Sequence, residues 1–315
     1  MALLADYAIT PDVFDVMSYQ NVGECEARLE LIRGPMLTEG VVRDLRDGEW
    51  RDSFRNPARA WHRWTKEFVK KMAAQGRLIR YSPMLPNSPA DDDGWCAEAL
   101  NSRGLRAYTG GIIVTSAVKS GYPDEPLVAP IDQLRNTPWW AARSSSVSLP
   151  RMMVDYVGHL DPVLRCSNSL LFIDPYLDPI QRGYREFGRL IEIAGRRRPP
   201  PRIEIHRTCY EGFAGRRFPM NEDPDYFERR FRDGISADLH AAGLQAHIFV
   251  WDDFHDRYLI SNLVGISLPY GFGSTQDPNS FTRWTRLGNS DRDDVQREFD
   301  PASQRHTLRA RFTIP

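Results

Sequence analysis

The clearest pattern lies in the second half of the chain, where short apolar runs alternate with amphipathic stretches. Two strand-like runs, SLLFIDPYL at 169–177 and RIEIHRTCY at 202–210, each precede a segment with apolar residues at three- and four-residue steps. Three more strand-like runs follow: LQAHIFVWDDF, HDRYLIS and VGISLPYGF. This order predicts an α/β sandwich with an at least partly parallel sheet, to which the closing HTLRARFTIP could add an edge strand.

Two helices are predicted between these strands from their capping residues. The first should begin at Asp178 and Pro179 and end at Gly195, and the second should begin at Asp223 and end at Gly243. The inward-facing apolar side chains of this module are expected to be buried. They are Phe187, Phe227, Phe231, Ile248, Val250 and Leu259.

The first 80 residues have a mainly helical pattern, including the segments EGVVRDLRDGEWRDSF and PARAWHRWTKEFVKKMAAQG. In the second segment Trp61, Trp64, Phe68 and Met72 form an amphipathic stripe that we expect in the core. A loop rich in Pro and Asp, a short helix and the apolar run TGGIIVTSAV come next. We therefore expect a mainly helical N-terminal region at 1–155 and an α/β domain at 156–315.

Composition narrows the possible partners only slightly. A net charge of -1 gives no global attraction to nucleic acid or to membranes, so any polyanion must bind a local patch. Residues 120 to 315 contain arginine but no lysine, which a GC-rich genome explains, although arginine also binds phosphate in a bidentate way. No apolar window is long enough to span a membrane and the N-terminus does not resemble a signal peptide, so we expect a cytoplasmic protein.

The candidate chemistry lies in the segment FHDRYLISN, where His255 and Arg257 stand two residues apart. If HDRYLIS is a strand, both side chains share one face, because strand side chains alternate with period two. A guanidinium can bind two phosphate oxygens, and a neighbouring imidazole can attack phosphorus or move a proton near neutral pH. The residues alone are equally consistent with a strand-end histidine and an arginine that pairs with Asp253 or Asp256.

This pattern resembles the phospholipase D superfamily, in which a histidine, any residue, a lysine, four residues and an aspartate precede a Gly-Ser turn. Here Arg257 stands for the lysine, Asn262 for the aspartate, and Gly273 with Ser274 for a displaced turn. In that family the histidine forms a phosphohistidine and the lysine binds the phosphate. The resemblance thus implies that His255, Arg257 and Asn262 are catalytic and that Ser274 contacts substrate.

The resemblance covers about residues 165 to 275. The string HDRYL, with Gly271 and Phe272 after it, is also similar to the phospholipase D-like domain of MIT-domain proteins, which has lost catalysis and binds phosphoinositide membranes. The family completes a site from two motifs, whereas this chain has one. Activity would therefore need two copies of His255 in a homodimer. Alternatively, residues 66–118 could form a degenerate first half, which would leave a single histidine.

Further phosphate contacts are expected at two other places. Arg196, Arg197 and Arg198 precede three prolines at a helix-to-strand turn and could contact a phosphate backbone, although a solvated turn is the alternative. Asp174 ends the first strand, where open α/β sheets place ligand residues, although it could equally just cap the turn at Pro175.

Two functions follow as expectations. The first is a metal-independent nuclease or other phosphodiesterase of a prokaryotic defence or nucleic-acid-processing system, with partner proteins bound by the N-terminal region. The second is an inactive module that binds nucleic acid or acidic phospholipid within a larger assembly. No cofactor is expected, and no divalent metal, because no carboxylate or His/Cys cluster at ligand spacing flanks His255.

Overall fold

The computed structural model describes residues 3–213, 216–219 and 224–315, with backbone alone for 211–213, 216–219 and 224. The chain forms two compact units, unit 1 at Met1–Ser144 and unit 2 at Ser145–Pro315. The division falls earlier than residue 155, because the segment after Ser145 forms a strand of the second unit's sheet.

Unit 1 is an α/β unit whose sheet, over the described residues, has five parallel strands in the order β3-β2-β1-β4-β5. The strands are β1 Ala5–Ile9, β2 Gly40–Leu45, β3 Leu78–Tyr81, β4 Ile112–Val114 and β5 Val128–Pro130. The helices are α1 Val22–Thr38, α2 Glu49–Ser53, α3 Thr65–Ala74, α4 Asp92–Asn101, α5 Ser116–Lys119 and α6 Pro138–Ala141.

The expectation of a mainly helical N-terminal region is wrong, since GVVRDL forms the buried strand β2. A buried ion pair accounts for its polar residues: Arg43 Nη2 lies 2.7 Å from Asp6 Oδ2 of β1, and both side chains are almost fully buried. Of the predicted stripe, Phe68 and Met72 are buried on α3, whereas Trp61 and Trp64 precede that helix.

Unit 2 has a mixed sheet in the order β15-β11-β8-β7-β12-β13-β14-β6, with an additional β9–β10 hairpin. Strands β7, β8 and β11 run parallel, and the remaining neighbours in the sheet are antiparallel. The strands are β6 Ser146–Pro150, β7 Ser169–Ile173, β8 Arg202–Thr208, β9 Tyr210–Phe213, β10 Arg216–Pro219, β11 Ala246–Trp251, β12 Tyr258–Ser261, β13 Gly265–Ser267, β14 Phe281–Arg286 and β15 Leu308–Ile314.

The α/β class is confirmed, and each strand expected in this half of the chain is present, β15 at an edge of the sheet. The helices of unit 2 are α7 Met153–Cys166, α8 Gly188–Ala194, α9 Pro224–Ala242 and α10 Asn289–Glu298. The side chains predicted to be buried in this unit are buried, among them Phe231 at 0% exposure. The sheet of unit 1 does not repeat this arrangement, because its strand order and directions differ.

One helix boundary differs from the prediction. The chain after Asp178 forms an irregular turn and a short 3₁₀ segment at Arg182–Tyr184 before α8 begins at Gly188. Asp178 is fully buried, and its Oδ2 lies 2.6 Å from Arg230 Nη2. This ion pair links the turn after β7 to α9. The predicted cap Asp223 lies outside the described residues.

None of the helices in the described residues combines the length and the apolar character that a membrane span requires.

Candidate functional site

Asp174 directly follows β7 and is fully buried at the carboxyl end of that strand. Its carboxylate accepts hydrogen bonds from the backbone amides of Tyr176 at 3.1 Å and Phe272 at 3.0 Å, and from the Tyr184 hydroxyl at 3.0 Å. Burial raises the pKa of Asp174, while the Phe272 amide and the Arg257 charge act in the opposite direction. Asp174 therefore joins three segments of unit 2 at one point.

The loop after β13 closes over Asp174 in a tight turn. The Gly271 amide donates to the Leu268 carbonyl at 2.7 Å, and Gly271 has a φ of 61°, the left-handed region that glycine tolerates best. The next residue, Phe272, is buried with its ring 5.2 Å from that of Phe172 and 5.8 Å from that of Phe187. The turn is thus fixed by its backbone on one side and by an aromatic anchor on the other.

Arg257 lies beside this turn with 26% of its side chain exposed, and its Nε is 3.8 Å from Asp174 Oδ1. Its Nη1 donates to the carbonyls of His255 and Pro269, both at 3.3 Å. Its Cζ is 5.4 Å from the centre of the Tyr176 ring. Within the described residues Nη2 has no hydrogen bond, so the guanidinium is oriented by protein contacts and still has donors to offer.

His255 is exposed and lies in the loop before β12, not in the strand. The ladder between β12 and β7 begins with Tyr258 opposite Ile173, because β7 ends there and turns into Asp174 and Pro175. The expected period-two alternation of His255 and Arg257 is therefore wrong. The Arg257 guanidinium instead contacts the His255 carbonyl, which keeps the two residues adjacent.

A second histidine, His206 on the neighbouring strand β8, contributes its backbone to this arrangement, since its carbonyl accepts from the Asp174 amide at 3.0 Å, but its side chain lies elsewhere. It is fully buried, its ring is stacked 4.7 Å from that of Phe249, and its Nδ1 accepts from Trp251 Nε1 at 3.1 Å. Burial lowers its pKa, while the neighbouring Glu204 acts in the opposite direction. His206 is a core residue of the opposite sheet face.

Ser274 lies near the site but is engaged elsewhere. Its amide and its hydroxyl both donate to the Gly183 carbonyl, at 2.8 and 3.4 Å. It lines a groove of about 750 Å³ together with Arg182, Arg185 and Asp277. Among the described residues no contact joins Ser274 to Arg257, so the structure does not bring the expected Gly-Ser turn onto the guanidinium.

Asn262 and the three consecutive arginines lie at the opposite end of the strands. Asn262 Oδ1 accepts from the Asn168 amide at 2.7 Å, just before β7, whereas Asp174 follows that strand. The five residues of β7 separate these ends by roughly 16 Å at 3.3 Å per residue. The structure therefore does not bring Asn262 together with Arg257, contrary to the expected shared site; its Oδ1 instead links the residue before β7 to the residue after β12.

Arg196, Arg197 and Arg198 make intramolecular contacts, and their expected contacts to a phosphate backbone stay a prediction. Arg197 donates to Asn168 Oδ1 and to the Pro199 carbonyl, Arg198 donates to the Gly195 carbonyl, and Arg196 pairs with Glu192. Two of these acceptors are carbonyls of the loop between α8 and β8. The cluster lies beside Asn168, which precedes β7, whereas Asp174 follows that strand.

Sequence reasoning missed a second candidate site, a crevice of about 620 Å³ in unit 1. It lies at the carboxyl ends of β1 and β4, where the strand order reverses direction. Open α/β sheets bind ligands at such a switch point. Six carboxylate side chains line it, against one arginine, Arg28. They are Asp12, Glu24, Asp91, Asp92, Asp93 and Asp132.

Asp92 is the buried member of this group, with 3% exposure at the start of α4. Its Oδ1 accepts from the Asp12 amide at 2.9 Å, which ties α4 to the chain after β1. Neither Asp92 Oδ2 nor the Thr10 hydroxyl has a hydrogen bond of regular geometry. The Thr10 hydroxyl is still close enough to Asp92 to favour its ionised form, which acts to lower the pKa of Asp92. Burial nevertheless raises the pKa of Asp92 to about 7.

Asp12, the second inner carboxylate, has an arginine partner. Arg59 Nη1 lies 2.6 Å from Asp12 Oδ1 and 3.4 Å from Asp15 Oδ2. Burial raises the pKa of Asp12, and the Arg59 charge opposes that rise. A sequence signal existed in the acidic run DDDG that opens α4, but its partners come from distant strands.

No protein-family profile matches the chain, and no curated protein matches it. Among solved structures, the chain can be superposed on TrmBL2, described as an archaeal chromatin protein with a novel mode of DNA binding. The match covers 78% of this chain and 81% of that one at 8% identity, with a TM-score of 0.30. A score this low does not show a shared fold.

Proposed function

We propose that unit 2 binds a phosphodiester at Arg257 and is a phospholipase D-like module. The observation that carries the proposal is the partly exposed guanidinium, oriented by Asp174 and two carbonyls while Nη2 stays available. A guanidinium binds the oxygens of phosphates and carboxylates in a bidentate way. The resemblance of the HDR segment and the succession of parallel β7, β8 and β11 followed by antiparallel β12 and β13 support the same assignment.

Catalysis at this site would need a second histidine. A phosphohistidine mechanism uses one histidine as nucleophile and another as acid, and His206 is buried on the other sheet face. Turnover in unit 2 therefore requires two copies of His255 from two chains, the homodimeric nuclease of the sequence-based expectation. A single copy gives the alternative function, a module that binds nucleic acid or acidic phospholipid in a larger assembly.

Binding and cleavage of labelled oligonucleotides and acidic liposomes by three variants test this proposal. Arg257→Ala should weaken binding about tenfold or more, because a charge-assisted hydrogen bond contributes about 1.5–3 kcal/mol. Arg257→Lys should weaken binding less than Arg257→Ala does if the guanidinium binds one phosphate oxygen. If it binds two, Arg257→Lys should weaken binding nearly as much as Arg257→Ala, because an ammonium group cannot form the bidentate contact. His255→Ala should abolish any turnover while sparing affinity if unit 2 is catalytic, and should weaken affinity alone if it is a binding module.

A matched control is Arg283→Ala, which removes an exposed arginine of β14 in the same unit. Equal binding by the Arg257→Ala and Arg283→Ala proteins would mean that only net charge matters, and the proposed phosphate site would be wrong.

A second function is favoured by the crevice of unit 1. We propose that Asp92 and Asp12 bind a hydrated divalent cation there and that this cation receives a phosphate oxygen of the same class of substrate. The carrying observation is Asp92, buried with Oδ2 lacking a regular hydrogen bond among an excess of carboxylates. In the described residues no three His, Cys, Asp or Glu side chains enclose an ion, so the cation would keep most of its water, as Mg²⁺ commonly does.

A titration with Mn²⁺ tests cation binding in the crevice directly, because the electron paramagnetic resonance signal of free Mn²⁺ decreases when the ion is bound. Asp92→Asn should weaken Mn²⁺ binding strongly, whereas Asp93→Asn, at the exposed neighbouring position, should change it little. Equal loss in both variants would indicate diffuse attraction to the acidic rim. EDTA separates the two candidate functions, because cleavage through His255 would survive it and cleavage through the crevice would not.

A further inference from the structure

The inference concerns Tyr270, an exposed aromatic residue on the turn that covers Asp174. Its side chain is 53% exposed, although the residues around it are fixed: Gly271 closes the turn, and Phe272 is buried. The preceding carbonyl, that of Pro269, accepts from Arg257 Nη1 at 3.3 Å. Tyr270 is thus a large ring held in solvent one residue away from the proposed phosphate contact.

A second arginine accompanies this ring. Arg151 Cζ lies 4.5 Å from the centre of the Tyr270 ring, and Arg151 Nη2 donates to the Gly273 carbonyl at 3.3 Å. Arg257 stands in a similar relation to Tyr176, at 5.4 Å. Two aromatic rings and two guanidinium groups therefore border the same turn.

The nearby carboxylates neutralise this positive charge only in part: Asp174 Oδ1 lies 3.8 Å from Arg257 Nε, whereas Arg151 has no carboxylate partner within the described residues. Asp174 is fully buried and already accepts three hydrogen bonds. Asp256 lies within electrostatic reach of Tyr258, which packs with Trp251 and Phe254 on the opposite face of the sheet. The exposed side of the turn consequently presents an aromatic ring and cationic groups.

We infer that the ligand is single-stranded nucleic acid, with a base stacked on Tyr270 and a backbone phosphate on Arg257. The inference rests on the proposed phosphate site of unit 2 and names its substrate class. Stacking of a base on an exposed aromatic ring beside a basic groove is how proteins bind single strands without sequence preference. A phospholipid headgroup offers the phosphate but no planar base, and a duplex keeps its bases paired.

The test compares two probes that have the same phosphates, a fluorescein-labelled thymidine dodecamer and an abasic oligonucleotide of equal length. Fluorescence anisotropy should show that the wild-type protein binds the thymidine probe about ten- to a hundredfold more tightly, the range that base stacking gives. Tyr270→Leu should lower thymidine binding to the abasic level, and Tyr270→Phe should retain it, because the phenyl ring keeps the stacking face. Arg257→Ala should weaken both probes by the same factor.

Three results would overturn parts of this reasoning, and they differ. Equal wild-type affinity for both probes, with Tyr270→Leu unchanged and Arg257→Ala still weaker, removes the stacking platform and leaves the phosphate site. Binding to phosphatidylserine vesicles but to neither oligonucleotide excludes nucleic acid as the ligand. Wild-type behaviour of Arg257→Ala on both probes refutes the phosphate site itself, whatever Tyr270 does.

Discussion

Substitution of Gly271 by alanine is the sharpest structural test of the Asp174 site. A Cβ built on Gly271 would lie 1.9 Å from Asp174 Oδ2 and 3.1 Å from Arg257 Cδ. Asp174 is fully buried between Tyr184 and the Phe272 amide, so it has no free space in which to move. The alanine must displace either the carboxylate or the turn, and each displacement breaks a hydrogen bond to Asp174.

The expected cost has two parts. Alanine in the left-handed region at the φ of 61° costs about 1–2 kcal/mol. Loss of one hydrogen bond to the carboxylate adds about 1.5–3 kcal/mol. Gly243→Ala supplies the control, because Gly243 has a φ of 66° in the same unit and no atom within 4 Å of its added Cβ. Gly271→Ala should therefore destabilise the protein by about 2.5–5 kcal/mol, and Gly243→Ala by the conformational part alone.

Equilibrium urea unfolding of both variants, fitted with a common denaturant slope, measures the difference. The oligonucleotide affinity of Gly271→Ala should also fall, because the displaced carboxylate no longer orients Arg257. Equal destabilisation by the two alanines would refute the reasoning, since it would mean that the turn relaxes without disturbing Asp174.

Three further outcomes are expected. Phe231→Ala should cost about 3–5 kcal/mol in urea unfolding, since Phe231 is a fully buried residue of α9. Tyr184→Phe should cost about 1.5–3 kcal/mol, because Asp174 then loses a hydroxyl donor; an unchanged midpoint would show that this bond adds nothing. Asp92 has a pKa of about 7 in the folded chain and about 3.9 when exposed, so the folded state binds the proton more tightly and the unfolding free energy should decrease as pH rises between these values. Asp92→Asn should flatten that decrease in urea titrations performed in EDTA, and an unchanged pH slope would contradict the assignment.

The strands of unit 2 could be predicted because their side chains follow simple rules. The apolar runs around Phe172, Ile205 and Ile248 are buried, and their lengths and turn residues favour strands. The parallel sheet of unit 1 could not, because charged residues stand inside its strands. Asp6 and Arg43 are polar in any hydropathy pattern, yet they are buried against each other, and only the folded chain brings them together across 37 positions.

The sequence predicted only part of the candidate site, because contacts between segments that are distant in the chain are again not visible in a local pattern. Arg257 and Asp174 belong to neighbouring strand ends and meet, which a strand order predicts. Asn262 follows the other end of β12, so its distance from Arg257 depends on where the strand begins and ends. The point at which the pairing of two strands ends depends on the partner strand, and here the turn at Asp174 ends the pairing of β7 with β12. No local sequence pattern contains that information. The crevice around Asp92 depends on the strand order of unit 1, which local periodicity does not contain.

The position of β6 determines where the chain can be shortened. This strand pairs with β14 from Pro150 opposite Phe281 to Ser146 opposite Thr285, and it forms one edge of the sheet of unit 2. A recombinant fragment that begins at residue 156 would lose β6 and leave the backbone groups of β14 unpaired beside Trp284, whose side chain is fully buried in the intact chain. Such an open edge invites pairing between molecules and precipitation. A fragment that begins at Ser145 retains its own edge strand and is the one to express for crystallisation or for binding assays on unit 2.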